Sequence, residues 1–193
     1  MSDIAEPPAE MPTPDRRVQR TRRALGDAFN ALVLAKGYDA VSAADIAARA
    51  DVGRSTFYEH FQGKDDLLAH GLRRLLVPLA DACVSGDPDP RLEALLAHFW
   101  QSRRMARPMM TGRTRAVMAA QLAGLIEERL AAVWPVAADG ERLPDALVAV
   151  QLAQGQIGLI EAWLSGRYGV SVGVVAGSLR AGSYAMARAL RVG

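Results

Sequence analysis

Residues Ser42–Lys64, SAADIAARADVGRSTFYEHFQGK, contain two short helical patterns with a tight turn between them. Ser42 is a favourable N-cap for the first helix, and Asp45 stands three residues later in its first turn. Asp51-Val52-Gly53 has the composition of a turn, with Val52 as the apolar residue expected between two crossed helices. The stretch therefore predicts two short helices that cross at this turn.

The second helix of the stretch is predicted over residues 54–61. Phe57 and Phe61 stand four positions apart, so one face of the helix can bury both rings. Two helices joined by so short a turn form a helix-turn-helix unit, whose second helix enters the major groove of DNA. The outer face and flanks of this helix then carry the candidate DNA contacts Arg54, Ser55, Thr56, Tyr58, Glu59 and His60.

The composition favours an all-α protein. The chain has 193 residues, half of them apolar, and its alanine- and leucine-rich runs contain few β-branched residues. Cys83 is the only cysteine, so no internal disulfide is possible and a cytoplasmic location is expected. No signal peptide is recognisable, and the longest apolar segment, Ala146 to Leu164, is interrupted by three glutamines and a glutamate. We therefore expect no membrane span.

Charge is distributed unevenly along the chain. Residues 1–15 carry four acids and no Lys or Arg, whereas residues 16–64 have a net charge of +4. We predict that the acidic, proline-rich residues 1–15 are a disordered tail, which either screens the neighbouring basic region or has no function. A basic excess on a small helical unit indicates a nucleic-acid partner or a solvated face.

The first helix is predicted from about Asp15 to Lys36, with Gly37 as its C-cap. Its first two turns hold five arginines, and positive charge at a helix N-terminus opposes the helix macrodipole. Phosphate contacts would explain these side chains, although a solvated face remains the alternative. The five are Arg16, Arg17, Arg20, Arg22 and Arg23, of which Arg20 and Arg23 are our candidate DNA contacts.

The remaining sequence predicts further helices, for a total of about nine and no strands. A fourth helix opens at Lys64 and contains Pro78, and Ser85–Pro90 is a clear loop. The other predicted elements are a helix from about Pro90 to Met105, a short helical piece between Pro108 and Gly112, a helix from Arg113 to Trp134, a loop over Val136–Leu143, a helix from Pro144 to about Ser165-Gly166, and a last helix over Ser171–Arg191.

Residues 16–75 resemble the DNA-binding domain of the TetR family of regulators. The run Thr56-Phe57-Tyr58-Glu59-His60-Phe61, followed three residues later by Lys64, is the most specific part of the match. The flanking motifs Gly37-Tyr38, Asp45-Ile46-Ala47, Val52-Gly53-Arg54-Ser55 and Lys64-Asp65-Asp66-Leu67-Leu68 agree with it. Two positions depart from the family pattern: Asp51 stands where glycine is common, and Gly53 stands where Ser or Thr usually caps the recognition helix.

The resemblance implies an all-α homodimer that represses transcription from a double-stranded DNA operator and is released by a small molecule. It implies that Arg54, Ser55 and Thr56 approach bases or nearby phosphates and that Lys64 binds a phosphate. By the same likeness, Tyr58 and His60 contact mainly phosphates. From their side-chain groups, we also expect the Glu59 carboxylate to accept a hydrogen bond from a cytosine amino group and the Ser42 hydroxyl to contact a phosphate. The corresponding domains are residues 16–63 for DNA binding and residues 64–193 for ligand binding and dimerisation.

Methionine and aromatic side chains of the C-terminal part are candidates for the effector pocket. Such side chains adapt to varied apolar ligands, but they are also ordinary core residues. The candidates are Phe99, Trp100, Met105, Met109, Met110, Met118 and Trp163. Arginines without an intervening acid, Arg103, Arg104, Arg107, Arg113 and Arg115, indicate either an anionic ligand or a solvated face.

Small residues at fixed spacing suggest the dimer interface. In the last helix they recur every four residues, which lets another helix approach closely. Packing within one chain is the alternative to a four-helix interface with C2 symmetry. The predicted interface residues are Gly173, Gly177, Ala181 and Ala185 of the last helix and Ala149, Ala153 and Ile157 of the preceding one.

Two other functions compete with this one. An enzyme is disfavoured because the sequence shows no paired carboxylates in a plausible site, no nucleophile with a base, no phosphate-binding glycine loop, and no metal-ligand or cofactor spacing. A DNA-binding protein whose C-terminal part only dimerises, without an effector, remains open.

Overall fold

The computed structural model describes residues 14–134 and 143–192. Within these ranges the chain forms nine α-helices and no strands, which confirms the all-α prediction. The predicted tail over residues 1–15 lies outside the described residues except for Pro14 and Asp15, and so does the predicted loop up to residue 142. The helices are α1 (Pro14–Lys36), α2 (Ala43–Arg49), α3 (Arg54–His60), α4 (Lys64–Asp81), α5 (Pro90–Gln101), α6 (Arg103–Met109), α7 (Gly112–Val133), α8 (Asp145–Leu164) and α9 (Val172–Val192).

The chain divides into two compact units, with the division between Lys64 and Asp65. In the first unit α2 packs against α1 and α3. Phe57 of α3 is fully buried, as are Leu25 of α1 and Ile46 of α2. Burial of these large apolar side chains stabilises three helices that are individually too short or too charged to persist alone. Further members of this small core are Phe29, Tyr38, Val41, Ala47 and Phe61.

Hydrogen bonds fix the turn between α2 and α3. The amide of Val52 donates to the carbonyl of Ala47 (3.0 Å) and that of Asp51 to Ala48 (3.3 Å), which is the Schellman arrangement at a helix C-terminus. This arrangement requires a left-handed residue, and Asp51 supplies it with φ 54°. Glycine is the usual residue there because a side chain costs about 1 kcal/mol in that conformation.

In the second unit α7 lies along α8, and α9 packs against α5 and α8. The single helix predicted from Pro90 to Met105 is two helices, because α5 ends at Gln101 and α6 begins at Arg103. Ser102 makes the break, and its carbonyl accepts the first hydrogen bonds of α6 from Met105 (2.8 Å) and Ala106 (3.0 Å). Serine favours helix ends over helix interiors, which explains the position of the break.

Among the described helices, α8 is long and apolar enough by composition to cross a membrane. Half of its apolar window is buried inside the fold, where its inner face packs on α7 and α9. It is therefore a core helix of this unit and not a membrane span.

A polar cluster lies inside the second unit. The side-chain nitrogen of Gln156, which has two protons, lies within hydrogen-bond distance of the carbonyl of Leu79 (3.0 Å), Ser183 Oγ (2.9 Å) and Cys83 Sγ (3.3 Å). Cys83 is fully buried, and this burial raises the pKa of its thiol to about 12, although the hydrogen bonds with Gln156 and Ser183 oppose the rise. The thiol is therefore both inaccessible and protonated at neutral pH.

We predict that Cys83 does not react with a thiol-specific disulfide reagent in the native protein at about pH 8, because the reactive thiolate is absent and access is blocked. Absorbance should report no released chromophore without denaturant and one equivalent in guanidinium chloride. Cys83→Ser is the control and should give no signal in either condition. Rapid stoichiometric labelling of the native protein would contradict this placement.

Candidate nucleic-acid interface

The α3 helix presents a polar face because its other face is anchored in the core. Phe57 is fully buried and its ring meets the ring of Tyr58 edge to face at 5.3 Å, while Phe61, just after the helix, is 3% exposed. Tyr58 itself is 54% exposed. The four residues Arg54, Ser55, Tyr58 and Glu59 are exposed, and Thr56 and His60 are half-buried. The structure thus brings the six predicted contacts together on one helix.

The start of α3 has no side-chain cap. Gly53 occupies the N-cap position with extended backbone angles (φ −65°, ψ 150°), and no side chain accepts from the first amides. A Cβ added at Gly53 would lie 3.5 Å from Ser55 Oγ, which is an ordinary contact. The position has room for a capping residue, so burial of Phe57 rather than capping holds this helix.

The arginines of α1 are available to a partner. Arg16, Arg17, Arg20, Arg22 and Arg23 are all exposed. None of their guanidinium groups makes an ion pair with a residue that the structure describes. The candidate contacts Arg20 and Arg23 therefore remain open to phosphate.

Lys64 is engaged elsewhere. Its ammonium donates to the carbonyls of Tyr38 (2.9 Å), Val41 (2.9 Å) and Asp39 (3.3 Å), and it stands 4.5 Å from the centre of the Tyr38 ring. An ammonium has three protons, so these carbonyls occupy every donor. The prediction that Lys64 binds a phosphate is corrected: it closes the α1–α2 loop onto the start of α4.

Ser42 is also part of the scaffold. Its hydroxyl accepts from the amide of Asp45 (3.2 Å) and donates to the carboxylate of Asp45 (2.7 Å), while its own amide donates to the same carboxylate (2.9 Å). The hydrogen bond from Lys36 (2.9 Å), followed by those from Ser42, holds the pKa of Asp45 far below its ordinary value. A hydroxyl beside a carboxylate has no proton for a phosphate, so the predicted DNA contact of Ser42 is corrected to a capping box.

Two residues of this unit were passed over by the sequence interpretation. Tyr38 is 8% exposed, meets Phe29 edge to face at 6.1 Å and lies under the ammonium of Lys64. The Gly37-Tyr38 pair after the first helix was the available signal, but nothing in it indicates a cation partner. Arg49 is exposed in the last turn of α2, so it is one more cation of the helix-turn-helix.

The predicted effector-pocket residues are mostly core. Trp163 and Met118 are 2% and 3% exposed, and Trp163 stacks on Trp100 with 4.9 Å between ring centres. Met105, in contrast, is 52% exposed. Phe99 and Met110 are buried, and Met109 is half-buried. Of the seven, Met110 lines the open pocket of about 680 Å³ beside α6 and α8, and Trp163 lines a second pocket of about 410 Å³ between α8 and α9, so these two pockets share no lining residue among the seven.

The predicted interface residues divide between the two helices. Ala149, Ala153 and Ile157 are at most 1% exposed within the single chain, so they have no surface to offer a second chain and their assignment is corrected. On α9, Gly173, Ala181 and Ala185 are exposed and Gly177 is half-buried. The exposed face of α8 instead carries Gln151, Gln154, Gly155, Leu159 and Ala162.

We predict that Lys64→Met lowers the free energy of unfolding by about 1–3 kcal/mol, because three charge-assisted hydrogen bonds are lost. Lys36→Met is the matched control, since Lys36 is the other lysine of the chain and its exposed pair with Asp45 contributes at most about 1 kcal/mol. Urea unfolding followed by circular dichroism measures both. A phosphate contact would give a different result: unchanged stability of Lys64→Met, with a salt slope of DNA binding reduced by about one.

Comparison with known proteins agrees with this geometry. Residues 27–70 match the model of the family described as bacterial regulatory proteins, tetR family. A 68-residue stretch is 37% identical to the uncharacterized HTH-type transcriptional regulator YxbF of Bacillus subtilis. The stretch covers 35% of this chain and 18% of YxbF, so the match spans less than a fifth of the length of that relative.

Solved structures resemble most of the chain. A TetR transcriptional regulator from Streptococcus agalactiae is 24% identical, with a TM-score of 0.54 over 88% of this chain and 96% of that chain, which shows the fold. FadR of Thermus thermophilus, a TetR-family repressor solved with lauroyl-CoA, is 18% identical over 86% of this chain and 92% of that chain, with a TM-score of 0.48. The matched domain is that of a family of regulatory proteins, and the fold is that of the solved TetR regulator. Residues 27–70 therefore carry the N-terminal domain of the tetR family of bacterial regulatory proteins.

Proposed function

We propose that this protein is a cytoplasmic, ligand-responsive transcriptional repressor that binds a pseudo-palindromic DNA operator as a homodimer and is released by a small molecule. The observation that carries the proposal is the face of α3, which is polar and exposed while Phe57 anchors the opposite face. A helix held this way can enter a major groove without rearrangement. The exposed arginines of α1 supply cations for the phosphates.

Within this proposal the residues of α3 divide by chemistry. Arg54, Ser55 and Thr56 stand at the start of the helix, the end that reads base edges in this motif, and carry most of the sequence preference. Tyr58 and His60 hold phosphates, and so do Arg20 and Arg23 of α1. Glu59 accepts from a cytosine amino group. Ser42 and Lys64 hold the scaffold and make no DNA contact.

The outer faces of α8 and α9 are the proposed dimer interface. Between Asp145 and Glu161 the sequence of α8 has no charged residue, and its exposed positions are glutamine, glycine, alanine and large apolar side chains. On α9 the exposed stripe is glycine and alanine, next to Val174, which is 61% exposed. Uncharged, small-residue faces of this kind suit close helix packing between subunits. Binding of a C2 dimer to two successive major grooves requires its two recognition helices to lie about 34 Å apart, one turn of DNA.

Release by a small molecule requires a difference in affinity. The effector must bind a dimer with another spacing of recognition helices more tightly than it binds the DNA-competent dimer, or the DNA equilibrium does not change. The second candidate function is an effector-independent DNA-binding protein whose C-terminal part only dimerises. The burial of Met118 and Phe99 in the core favours this alternative, because side chains that serve core packing need no ligand to explain them.

We predict that selection from a random DNA pool enriches a pseudo-palindrome with half-sites about one helical turn apart. Arg54→Ala and Thr56→Ala should each lose about 1–3 kcal/mol of base discrimination at particular positions. Tyr58→Phe should instead weaken selected and random DNA alike, because phosphate contacts carry no sequence information. Arg74→Ala, an exposed arginine of α4, is the control. If both α3 variants keep the sequence preference of the unaltered protein, the assignment of base contacts to Arg54 and Thr56 is wrong.

We predict that Ala181→Trp gives a folded monomer, since the position is exposed in the single chain but central to the proposed interface. Light scattering should show half the mass of the unaltered protein, with unchanged helical content by circular dichroism. Ala120→Trp, on an exposed position of α7, is the matched control and should leave the dimer intact. A dimeric Ala181→Trp protein would refute this interface.

A further inference from the structure

An open pocket of about 680 Å³ lies in the second unit between α6, the C-terminal half of α8 and the residues that follow α8. Its volume is within the range of about 300–1,000 Å³ that holds small organic ligands. Both polar and apolar groups line it. Basic groups come from α6 and from the segment after α8, whereas the apolar wall is built by Pro108, Met110, Ala162 and Leu164.

The structure separates the arginines of this region into engaged and free groups. Arg113 pairs with Asp65, and Arg115 binds Gln154 (2.9 Å) and Glu161 (3.4 Å). Arg103 donates to the carbonyl of Trp100 (3.3 Å), with its guanidinium carbon 5.0 Å from the centre of that ring. The two remaining arginines of the run, Arg104 and Arg107, both line the pocket.

A third guanidinium joins them from a distant part of the sequence. Arg167, after the end of α8, lines the same pocket. The side chains of Arg104, Arg107 and Arg167 make no ion pair within the part of the chain that the structure describes. Glu161, the acidic residue of the lining, is already bound by Arg115. The uncompensated charge of the pocket is therefore positive.

An apolar wall next to these cations determines the kind of ligand. Met110 and Leu164 are nearly fully buried, so the pocket reaches the edge of the core at this point. Guanidinium groups bind carboxylates and phosphates through paired hydrogen bonds, more strongly than they bind neutral acceptors. A ligand that satisfies both parts has an anionic head and an apolar body.

We propose that this pocket binds an organic anion, a carboxylate or phosphate attached to an apolar body, and that this anion is the effector. The proposal rests on the ligand-responsive function proposed above and names the chemistry of its ligand. Gly158 and Ala162 line the pocket, and Ala162 also stands on the exposed face of α8 proposed to pair the subunits. An anion held there contacts the pairing helix itself, which gives it a route to alter the dimer.

Calorimetric titration with four probes of equal chain length tests the site. Decanoate and decyl phosphate carry the two candidate head groups, decanol is neutral, and decyltrimethylammonium is cationic, all below their micelle concentrations. At least one anion should bind the full-length protein, more weakly as salt increases, and which of the two binds identifies the head group. Decanol and the cation should bind at least about tenfold more weakly. Equal binding of decanol, or no binding of either anion at millimolar concentration, overturns the proposal.

Charge-matched variants separate the pocket from general attraction. Arg104→Gln with Arg107→Gln should weaken anion binding by about tenfold or more, and Arg167→Gln alone should also weaken it. Arg103→Gln, next to Arg104 on α6 but outside the lining, should stay within about twofold of the unaltered protein. Circular dichroism checks that each variant is folded. Equal losses in Arg103→Gln and Arg104→Gln would overturn the assignment of the site.

DNA measurements separate this proposal from the proposed function. The anion that binds should lower the affinity of the unaltered protein for its selected DNA and leave the Arg104→Gln, Arg107→Gln protein bound. Anion binding without any change in DNA affinity overturns the effector assignment. A protein that binds the anion but selects no DNA contradicts the proposed function and leaves the anion site supported.

Discussion

The hydrogen bonds of the Lys64 ammonium are the interaction on which the helix-turn-helix part of the molecule depends. It gathers three carbonyl groups of the loop between α1 and α2 at a point only a few residues beyond the end of α3. One cation therefore fixes both the loop that precedes the helix-turn-helix and the chain that leaves it. Buried Phe57 and Phe61 act on the same short segment from inside. Because Lys64 holds the chain just after α3 and the inner face of α3 is packed in the core, the helix has little freedom to tilt. A rigid helix loses little conformational entropy when it binds a groove.

The relative sizes of the local effects explain why packing decides the orientation of α3. Burying a phenylalanine contributes roughly 1.5–3 kcal/mol, whereas an N-cap side chain contributes about 1 kcal/mol and a left-handed Asp costs about as much. The chain has a full capping box on α2, none on α3, and a left-handed residue at the turn between them. The stabilisation from the α2 cap and the cost of the left-handed residue thus nearly cancel over the motif. The net free energy that holds the motif folded comes from burial of the aromatic side chains. The same ordering of magnitudes lets Gly53 stand where a better capping residue has room.

The sequence predicted those features that follow from local periodicity. Helix number, the anchoring of Phe57 and the exposure of Tyr58 depend on residues within one or two turns, and these predictions are confirmed. Lys64 was misassigned because its partners are backbone carbonyls more than twenty residues away, which have no side-chain signature. Ala149 and Ala153 were misassigned because a stripe of small residues has the same appearance whether it packs inside one chain or between two. Arg167 was missed for a related reason: only the fold brings it to the arginines of α6.

The choice of basic residue has a consequence for regulation. Among 23 basic residues the chain has two lysines; one is bound by carbonyl groups and the other is paired with Asp45. Every exposed cation of α1 and α3, apart from Lys36 at the end of α1, is an arginine. Acylation neutralises lysine and leaves a guanidinium unchanged, and arginine stays charged throughout the physiological pH range. Enzymes that acetylate lysine therefore have no means to reduce the positive charge of these arginines. Under the proposed function, their attraction for phosphate responds to ionic strength instead of acyl-donor supply.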